Sequence, residues 1–430
     1  MNTLLAPLLL SLAAAPVPAE PPTLTLDAAL AELDRQGLTV IQARGRAEEV
    51  QGLALQALAP LLPTVGAGVT WLRNSDDAGA ALGPRQLVIQ PLHSATWTLS
   101  ARAPLVVPSA WFDLAQARHA ALAAARSEDA VQRAVRTGFA QSAHQAAAAE
   151  EVVAASERAV ENADALVKSA DRRLSAGTAA PLEVTRARAE LLRRQSDVAG
   201  ARADRDRARL ALGILLGRAA PVRVSVPEVS TAGGAAAAAA AEVEATGALA
   251  RRPEVAAQGE QVKAAQAAVR SAWARLAPQL SASAAAFTSD APYPTGKKDG
   301  WRVTLDATWA LYDGGLRSGK RRQAEAQVVQ AEAAAEAQRL AVLQEVEDGR
   351  RDLSVAGERL ELAQAQAGLA ADTAASAKRS FEAGVASSLD VIDANDRLYQ
   401  ADTGLALSRA RLAQARLALA RALGEGPARP

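Results

Sequence analysis

RLSAGTAAPLEV (residues 173–184) and SFEAGVASSLDV (residues 380–391) are two copies of one segment, separated by 380 − 173 = 207 residues. The correspondence continues without a gap as far as Gly217 and Gly424. Upstream, further matches occur at offsets of 311 − 105 = 206 and 278 − 63 = 215 residues, so loops differ in length while the order of elements repeats. The chain is therefore a duplication of two similar halves.

Each half contains two segments in which apolar and polar residues alternate, as in a strand with two different faces. The four segments are 62–73, 94–106, 278–288 and 301–312. In the last of them, apolar residues occupy the odd positions from Trp301 to Leu311. Each segment is close to the ~10 residues with which a tilted strand crosses a bilayer. A soluble sheet with one buried face is the alternative for any single segment.

Tryptophan favours the membrane interpretation, because four of the six tryptophans lie in these segments. The indole ring is apolar while its N–H needs a polar partner, which suits the membrane interface. The expected girdle consists of Trp71, Trp97, Trp301, Trp309 and Tyr312. Two chains would supply eight strands, whose bore is filled by side chains, so an open pore needs at least three chains. Segments 74–93 and 289–300 are expected to be surface loops.

Helices are predicted over most of the remainder. The predicted ranges are 25–59, 109–176, 181–216, 253–277, 315–383 and 386–424. The two longest contain no proline, and ~68 residues at ~1.5 Å per residue span ~100 Å. The last helix has a heptad of large residues, each followed three positions later by a small one. Such a seam lets a neighbouring helix approach closely in a left-handed coil, although alone it also fits an ordinary coiled coil.

Composition and targeting signals limit the possible functions. Lys plus Arg number 48 against 47 Asp plus Glu, so there is no basic excess with which to bind nucleic acid. There is no cysteine, the three histidines are scattered, and no nucleophile motif or P-loop occurs, so we expect no enzyme, metal or cofactor. Residues 1–19 predict a signal peptide, and no later apolar run reaches the ~18 residues of a spanning helix. We divide the rest into halves 20–230 and 251–430, joined by a linker or equatorial region at 231–250.

The order of elements resembles the TolC family of outer-membrane efflux proteins. The resemblance rests on Arg252-Pro253-Glu254-Val255, on Leu311-Tyr312-Asp313-Gly314-Gly315, and on Phe381-x-x-Gly384 followed by Leu389-Asp390-Val391-Ile392-Asp393. It implies a mainly α fold with transmembrane β structure, in which a homotrimer forms a twelve-stranded outer-membrane barrel. A long α-helical coiled-coil tunnel would continue the barrel through the periplasm. The tunnel tips would meet a periplasmic adaptor (membrane fusion protein) linked to an inner-membrane pump.

Two sets of candidate site residues lie near the repeated segment. The adaptor-facing tip candidates are Gly177, Thr178, Pro181, Gly384, Val385 and Ser388, because glycine permits the positive φ of a helix reversal. The aperture candidates are Asp390, Asp393 and Glu183. The first two share a helical face, so three chains would bring six carboxyls together and raise some of their pKa values. Solvated carboxylates are the alternative interpretation.

The tip also departs from the family pattern, since the best-studied member has a latching tyrosine and arginine where this chain has Phe381 and Ala386. The expected function is passive exit through the outer membrane for small molecules, such as drugs, toxic compounds or metal ions. One alternative is the duct of type I protein secretion. Another, from a different class, is a non-channel periplasmic coiled-coil scaffold, which predicts soluble fractionation and no conductance.

Overall fold

The computed structural model describes residues 23–82, 85–227, 247–291 and 297–425. The expected signal peptide and most of the expected linker at 231–250 lie outside the described residues. The main helices are α1 (Leu26–Gln36), α2 (Leu38–Leu58), α3 (Pro108–Ser175), α4 (Pro181–Leu215), α5 (Pro253–Ala274), α6 (Leu316–Glu382) and α7 (Ser388–Ala422). The strands are β1 (Thr23–Thr25), β2 (Thr64–Arg73), β3 (Ala78–Leu82), β4 (Arg85–Gln90), β5 (His93–Val106), β6 (Arg223–Ser225), β7 (Gln279–Ser289) and β8 (Asp299–Thr308). Among the described helices, none has the length and apolar character needed to cross a bilayer.

Four strands, two from each half, form one antiparallel sheet in the order β2-β5-β7-β8. The register aligns Ala67, Leu99, Ala286 and Trp301 in one row across the sheet. This row belongs to the apolar face, which is open within the chain: Trp301 is 79% exposed. An exposed apolar face opposite a polar one is the pattern of a membrane barrel strand.

Three differences from the sequence prediction are the largest, and the other element boundaries shift by at most three residues. The first expected helix breaks into α1 and α2 at Gly37, whose backbone is extended (φ −62°, ψ 118°). Glycine fits this position because a Cβ there would lie 2.5 Å from the Leu33 carbonyl oxygen. The expected loop 74–93 contains the hairpin β3–β4, which the strand-forming residues of β4 support. Strand β8 ends at Thr308 rather than 312, since Asp313 accepts hydrogen bonds from the N–H groups of Gly315 and Arg317 and fixes a turn into α6.

The long helices α3 and α6 have 68 and 67 residues, so each is ~100 Å long. Their packing rests on small side chains. In the heptad seam of α7, all five small positions are buried: Ala394, Ala401, Ser408, Ala415 and Ala422. Helix α6 comes close to α7 at Gly349, where a Cβ would lie 3.3 Å from the Leu419 Cα. Alanine and glycine therefore determine how closely the helices pack.

Near the middle of α3, the short parallel strands β1 and β6 pair with each other. Val222 and Val224 pack there in a buried cluster with Phe139 of α3, Leu33 of α1 and Leu212 of α4. Thr23 pairs with Arg223, so the start of the described chain is tied to the segment after α4. This cluster packs against one side of α3 near its middle.

Candidate functional site

Two helical hairpins, α3–α4 and α6–α7, reverse direction at equivalent glycines. Gly177 has φ 73° and Gly384 has φ 78°. At each turn the glycine N–H donates to a carbonyl three residues earlier, and the following N–H to one five residues earlier. A Cβ at either glycine would meet no atom within 4 Å. Glycine is therefore required for its left-handed conformation and not for space.

The ends of the two hairpins pack against each other in a hydrophobic group that we call the hairpin-end cluster. It contains Leu166, Ala170, Val184 and Ala187 of the first hairpin with Phe381 and Val391 of the second. Phe381 is only 2% exposed, so its ring is shielded by the first hairpin. The two sequence copies therefore form one structural unit.

Arg173 of the first hairpin holds Phe381 in place. Its guanidinium lies 4.5 Å from the Phe381 ring centroid, and its Nη1 donates to the Phe381 carbonyl oxygen at 3.2 Å. In the family resemblance described above, Phe381 and Ala386 stand where the best-studied member has a latching tyrosine and arginine. Within this chain, an arginine from the opposite hairpin contacts the aromatic ring instead. No local sequence signal pointed to this contact.

The helices that follow the two turns are capped differently. Helix α7 begins with a capping box, in which Ser387 and Asp390 each accept the other's backbone N–H. Helix α4 begins at Pro181, its N-cap is Ala180, and no side chain caps it. Because 387 − 207 = 180, these N-cap residues are equivalent. The two copies thus share the glycine turn but differ in the N-cap of the helix that follows it.

The three aperture candidates have three different environments. Within one chain, hydrogen bonds from the Ser387 side chain and backbone lower the pKa of Asp390. Asp393 forms an ion pair with Arg397 at 2.8 Å and remains exposed. Glu183 has one carboxylate oxygen that is buried without a hydrogen-bond partner among the described residues. Within one chain, Asp390 and Asp393 are both exposed, whereas Glu183 is partly buried.

The six tip candidates do not all face outward. Val385 is 85% exposed, whereas Ser388 is fully buried and its hydroxyl has no partner in the described chain. Thr178 is exposed, and its Oγ1 donates to the Arg173 carbonyl oxygen at 3.1 Å. Pro181 fills the first position of α4, where its missing N–H has no consequence. Val385 therefore has the highest exposed fraction of the large hydrophobic residues at the ends, above Leu182 and Leu389.

A buried ionic cluster joins the hairpins beyond their ends, and sequence reasoning missed it. Arg194 of α4 is 3% exposed and pairs with Glu190 at 2.6 Å, with Asp197 at 3.2 Å and with Asp396 of α7. Its guanidinium also lies 4.9 Å from the Tyr399 ring centroid. Burial alone would raise the pKa of Asp396, but hydrogen bonds and charge from the adjacent arginines hold it below its ordinary value. In a sequence, an arginine flanked by carboxylates on a helix normally indicates a solvent-exposed position. The burial of Arg194 is therefore apparent only from the tertiary packing.

The girdle residues lie at two levels of the sheet. Trp71, Trp97 and Trp301 occupy three consecutive rows of the apolar face near one end of the strands. Trp309 and Tyr312 lie beyond the opposite end of β8. Trp301 and Trp309 are 309 − 301 = 8 residues apart, about 26 Å of extended chain, close to the ~25 Å apolar band of outer-membrane barrels. Trp309 donates from Nε1 to the Leu276 carbonyl oxygen at 3.0 Å.

A duplicated chain with a membrane-type sheet and helices ~100 Å long belongs to the class of outer-membrane channels that continue into a helical tunnel. Within this class, the chain belongs to the outer membrane efflux protein family, whose sequence model matches residues 31–218 and 245–425. This confirms the family resemblance seen in the sequence. Its members are channel proteins and not enzymes.

Solved structures share this fold. The outer membrane protein VceC from Vibrio cholerae is 19% identical, with TM-score 0.77 over 93% of this chain and 96% of that one. The CmeC outer membrane channel of Campylobacter jejuni is 15% identical, with TM-score 0.76 over 93% and 85%. The open state of the MtrE outer membrane channel of Neisseria gonorrhoeae is 17% identical, with TM-score 0.75 over 94% and 90%. A comparison with curated protein sequences finds no significant match.

Proposed function

We propose that this protein is the outer-membrane channel of a tripartite export system, a homotrimer that gives passive exit to small molecules. An inner-membrane pump and a periplasmic adaptor would select and deliver the cargo, such as drugs, toxic compounds or metal ions. The observation that carries the proposal is that the two hairpin ends form one packed unit with an exposed apolar residue, Val385. Such a unit offers a compact surface for docking at the end of the tunnel.

The sheet supports the proposed trimer. Strands β2 and β8 are its two edges, and each has backbone groups without a strand partner on one side. Unpaired strand edges are not tolerated against lipid. In the proposed channel, β8 of one copy therefore pairs with β2 of the next until the sheet closes. Three copies give 3 × 4 = 12 strands. The exposed apolar face would then contact outer-membrane lipid and the helices would extend into the periplasm.

The test uses the absence of cysteine from the chain. A single cysteine replaces Val385 at the hairpin ends, and a control cysteine replaces Val329, which is 66% exposed on α6 far from the ends. Each variant is crosslinked in intact cells, and the captured proteins are identified by mass spectrometry. Capture of a membrane fusion protein at position 385 and not at 329 is the expected result.

Other outcomes separate the alternatives. A co-captured pump of the type I secretion class would assign the duct to polypeptide export rather than to small molecules. An exported protein that captures no adaptor at position 385 would refute the tripartite system. Recovery in the soluble periplasmic fraction, without conductance in planar bilayers, would favour the coiled-coil scaffold.

A further inference from the structure

The polar face of the sheet, which the proposed channel would turn toward its lumen, has an uneven distribution of charge. The ionisable residues on this face of the four strands are Arg102, Arg302 and Asp306. The other ionisable residues of these strands, Arg73, His93 and Asp299, lie on the apolar face, close to the strand ends beside the β2–β5 and β7–β8 loops. Each chain thus turns two positive charges and one negative charge toward the proposed lumen.

The two arginines are free to act on a solute. Both are exposed, and neither forms an ion pair within the described part of the chain. Arg102 makes one long hydrogen bond, from Nη2 to the Ser281 hydroxyl at 3.4 Å. Asp306 is exposed and likewise pairs with no cation among the described residues. The charges therefore do not neutralise one another within the chain.

The neighbours of Arg302 in its own row of the polar face are small. The row that contains Arg302 continues through Ala285, Ser100 and Gly66. In the adjacent row, a Cβ at Gly68 would meet no atom within 4 Å. Phe287 is the bulky residue of that adjacent row, and its ring lies over Gly300. Both arginines are nevertheless exposed, so their guanidinium groups can extend from the wall into the bore.

The strand order spaces the arginines evenly. Arg102 is on β5 and Arg302 on β8, the second and fourth strands of the sheet. When three sheets close in sequence, every second strand carries one arginine, at about 10 Å intervals for strands ~4.8 Å apart. Arg102 and Arg302 lie in adjacent rows, about 7 Å apart in height. Six arginines would then form a zigzag ring around the lumen.

We propose that this ring makes the barrel lumen favour anions, so that the last section of the exit path concentrates solutes that carry carboxylate or phosphate groups. The inference rests on the proposed trimeric channel. With three Asp306 residues, the ring region has a net charge of 3 × (2 − 1) = +3. The separations between arginines are comparable to the ~8 Å Debye length at physiological salt, so the charges act together on a passing ion. A lumen lined by one sign of charge raises the local concentration of the opposite sign.

The experiment measures the local potential with charged thiol reagents. Ser100 shares the Arg302 row and lies two residues from Arg102, so Ser100→Cys places a reporter within the ring of the otherwise cysteine-free chain. The reagents are the anionic sulfonatoethyl and cationic trimethylammonioethyl methanethiosulfonates, applied to trimers in lipid vesicles. The ratio of their reaction rates is compared with that in the Arg102→Gln/Arg302→Gln background. The matched control is Arg73→Gln, on the apolar face at the end of β2.

We expect the double substitution to lower the anionic-to-cationic rate ratio about tenfold at about 0.01 M salt, and the difference to vanish near 1 M salt. Asp306→Asn should raise the ratio, and Arg73→Gln should leave it unchanged. A ratio that is insensitive to both lumen arginines would overturn the ring. Leu99→Cys, on the apolar face, tests the barrel separately, because lipid should protect it from both reagents. If Leu99→Cys reacts as fast as Ser100→Cys, the sheet is not a membrane barrel, and the proposed channel fails together with the ring.

Discussion

The two hairpin ends differ although they descend from one segment. Both reverse at a glycine with positive φ and the same backbone hydrogen bonds. The first end supplies Arg173 and has no side-chain cap, whereas the second buries Phe381 and caps its own helix with Ser387 and Asp390. Position 173 corresponds to Ser380, so the arginine–aromatic contact runs in one direction only. Duplication preserved the turn, which backbone geometry dictates, while the side chains diverged to join the two copies.

The largest expected difference between the ends comes from the equivalent residues Phe381 and Leu174. Phe381→Ala removes a fully buried ring from the hairpin-end cluster and should cost about 3–5 kcal/mol locally. Leu174 is only partly buried beside the same cluster, so Leu174→Ala should cost about 1 kcal/mol. Hydrogen exchange of backbone amides in both ends measures the loss of protection. Equal losses would mean that the two ends bury their apolar residues equally.

The next largest effect would uncouple the hairpins at the buried ionic cluster. Arg194→Ala leaves the clustered carboxylates Glu190 and Asp197 without their main partner, and should cost about 3 kcal/mol, or roughly a hundredfold in local amide protection. Arg193 is the matched control, because it is 53% exposed and also contacts Asp396. Arg193→Ala should cost under about 1 kcal/mol. Similar effects of the two substitutions would show that burial of Arg194 contributes nothing.

The turns themselves should respond identically. Gly177→Ala and Gly384→Ala should each cost about 1–2 kcal/mol, because a Cβ is unfavourable at positive φ even where space is open. Gly404→Ala is the control with the opposite sign: it lies within α7 at a site with no neighbour within 4 Å, so alanine should stabilise the helix by up to about 1 kcal/mol. Local hydrogen exchange reports all three. Unequal costs at the two turns would indicate that their surroundings, and not φ alone, select glycine.

The sequence predicted features that depend on local pattern. Alternation located the four strands of the main sheet, and the repeated glycine located both reversals, because period and positive φ are properties of short segments. The capping box also had a local signal, namely Ser387 followed three residues later by Asp390. The aperture hypothesis considered only the negative charge of Asp390. Attention to the N-cap would have predicted the hydrogen bonds that lower the pKa of Asp390.

Other features depend on residues far apart in the chain. The contact between Arg173 and Phe381 joins residues 208 positions apart, and neither flanking sequence specifies it. Burial of Arg194 requires α4 and α7 to meet at one height, which is set by packing along both long hairpins. The end of β8 was overestimated because Trp309 and Leu311 continue the alternation after the strand hydrogen bonds stop. A side-chain pattern alone does not show where backbone pairing ends.

Removing the N-cap side chain of α7 and adding one to α4 should have smaller effects, of opposite sign, on the stability of the two ends. Ser387→Ala removes the capping box and should cost about 1 kcal/mol of protection at the start of α7. Ala180→Ser should restore up to about 1 kcal/mol at the start of α4, because Glu183 already occupies the position that completes a box. Hydrogen exchange of the first turns measures both. No gain from Ala180→Ser would mean that Pro181 or the buried Glu183 carboxylate prevents reciprocal capping.

The smallest expected effect is on pH dependence, which should distinguish the second end from the first. The pKa of Asp390 is lowered in the folded state by hydrogen bonds from Ser387, so the ionised form is the one that caps the helix. For a depressed folded pKa, the stabilisation is complete above the ordinary value of 3.8 and is lost as pH falls through the lower folded value. The ratio of amide protection in wild type to that in Ser387→Ala should therefore be constant near neutral pH and fall toward one below about pH 4. Using a ratio cancels the intrinsic pH dependence of exchange. A ratio that stays constant into acid would show that the protonated carboxyl caps the helix as well as the carboxylate, and that hydrogen bonding rather than charge distinguishes the two ends.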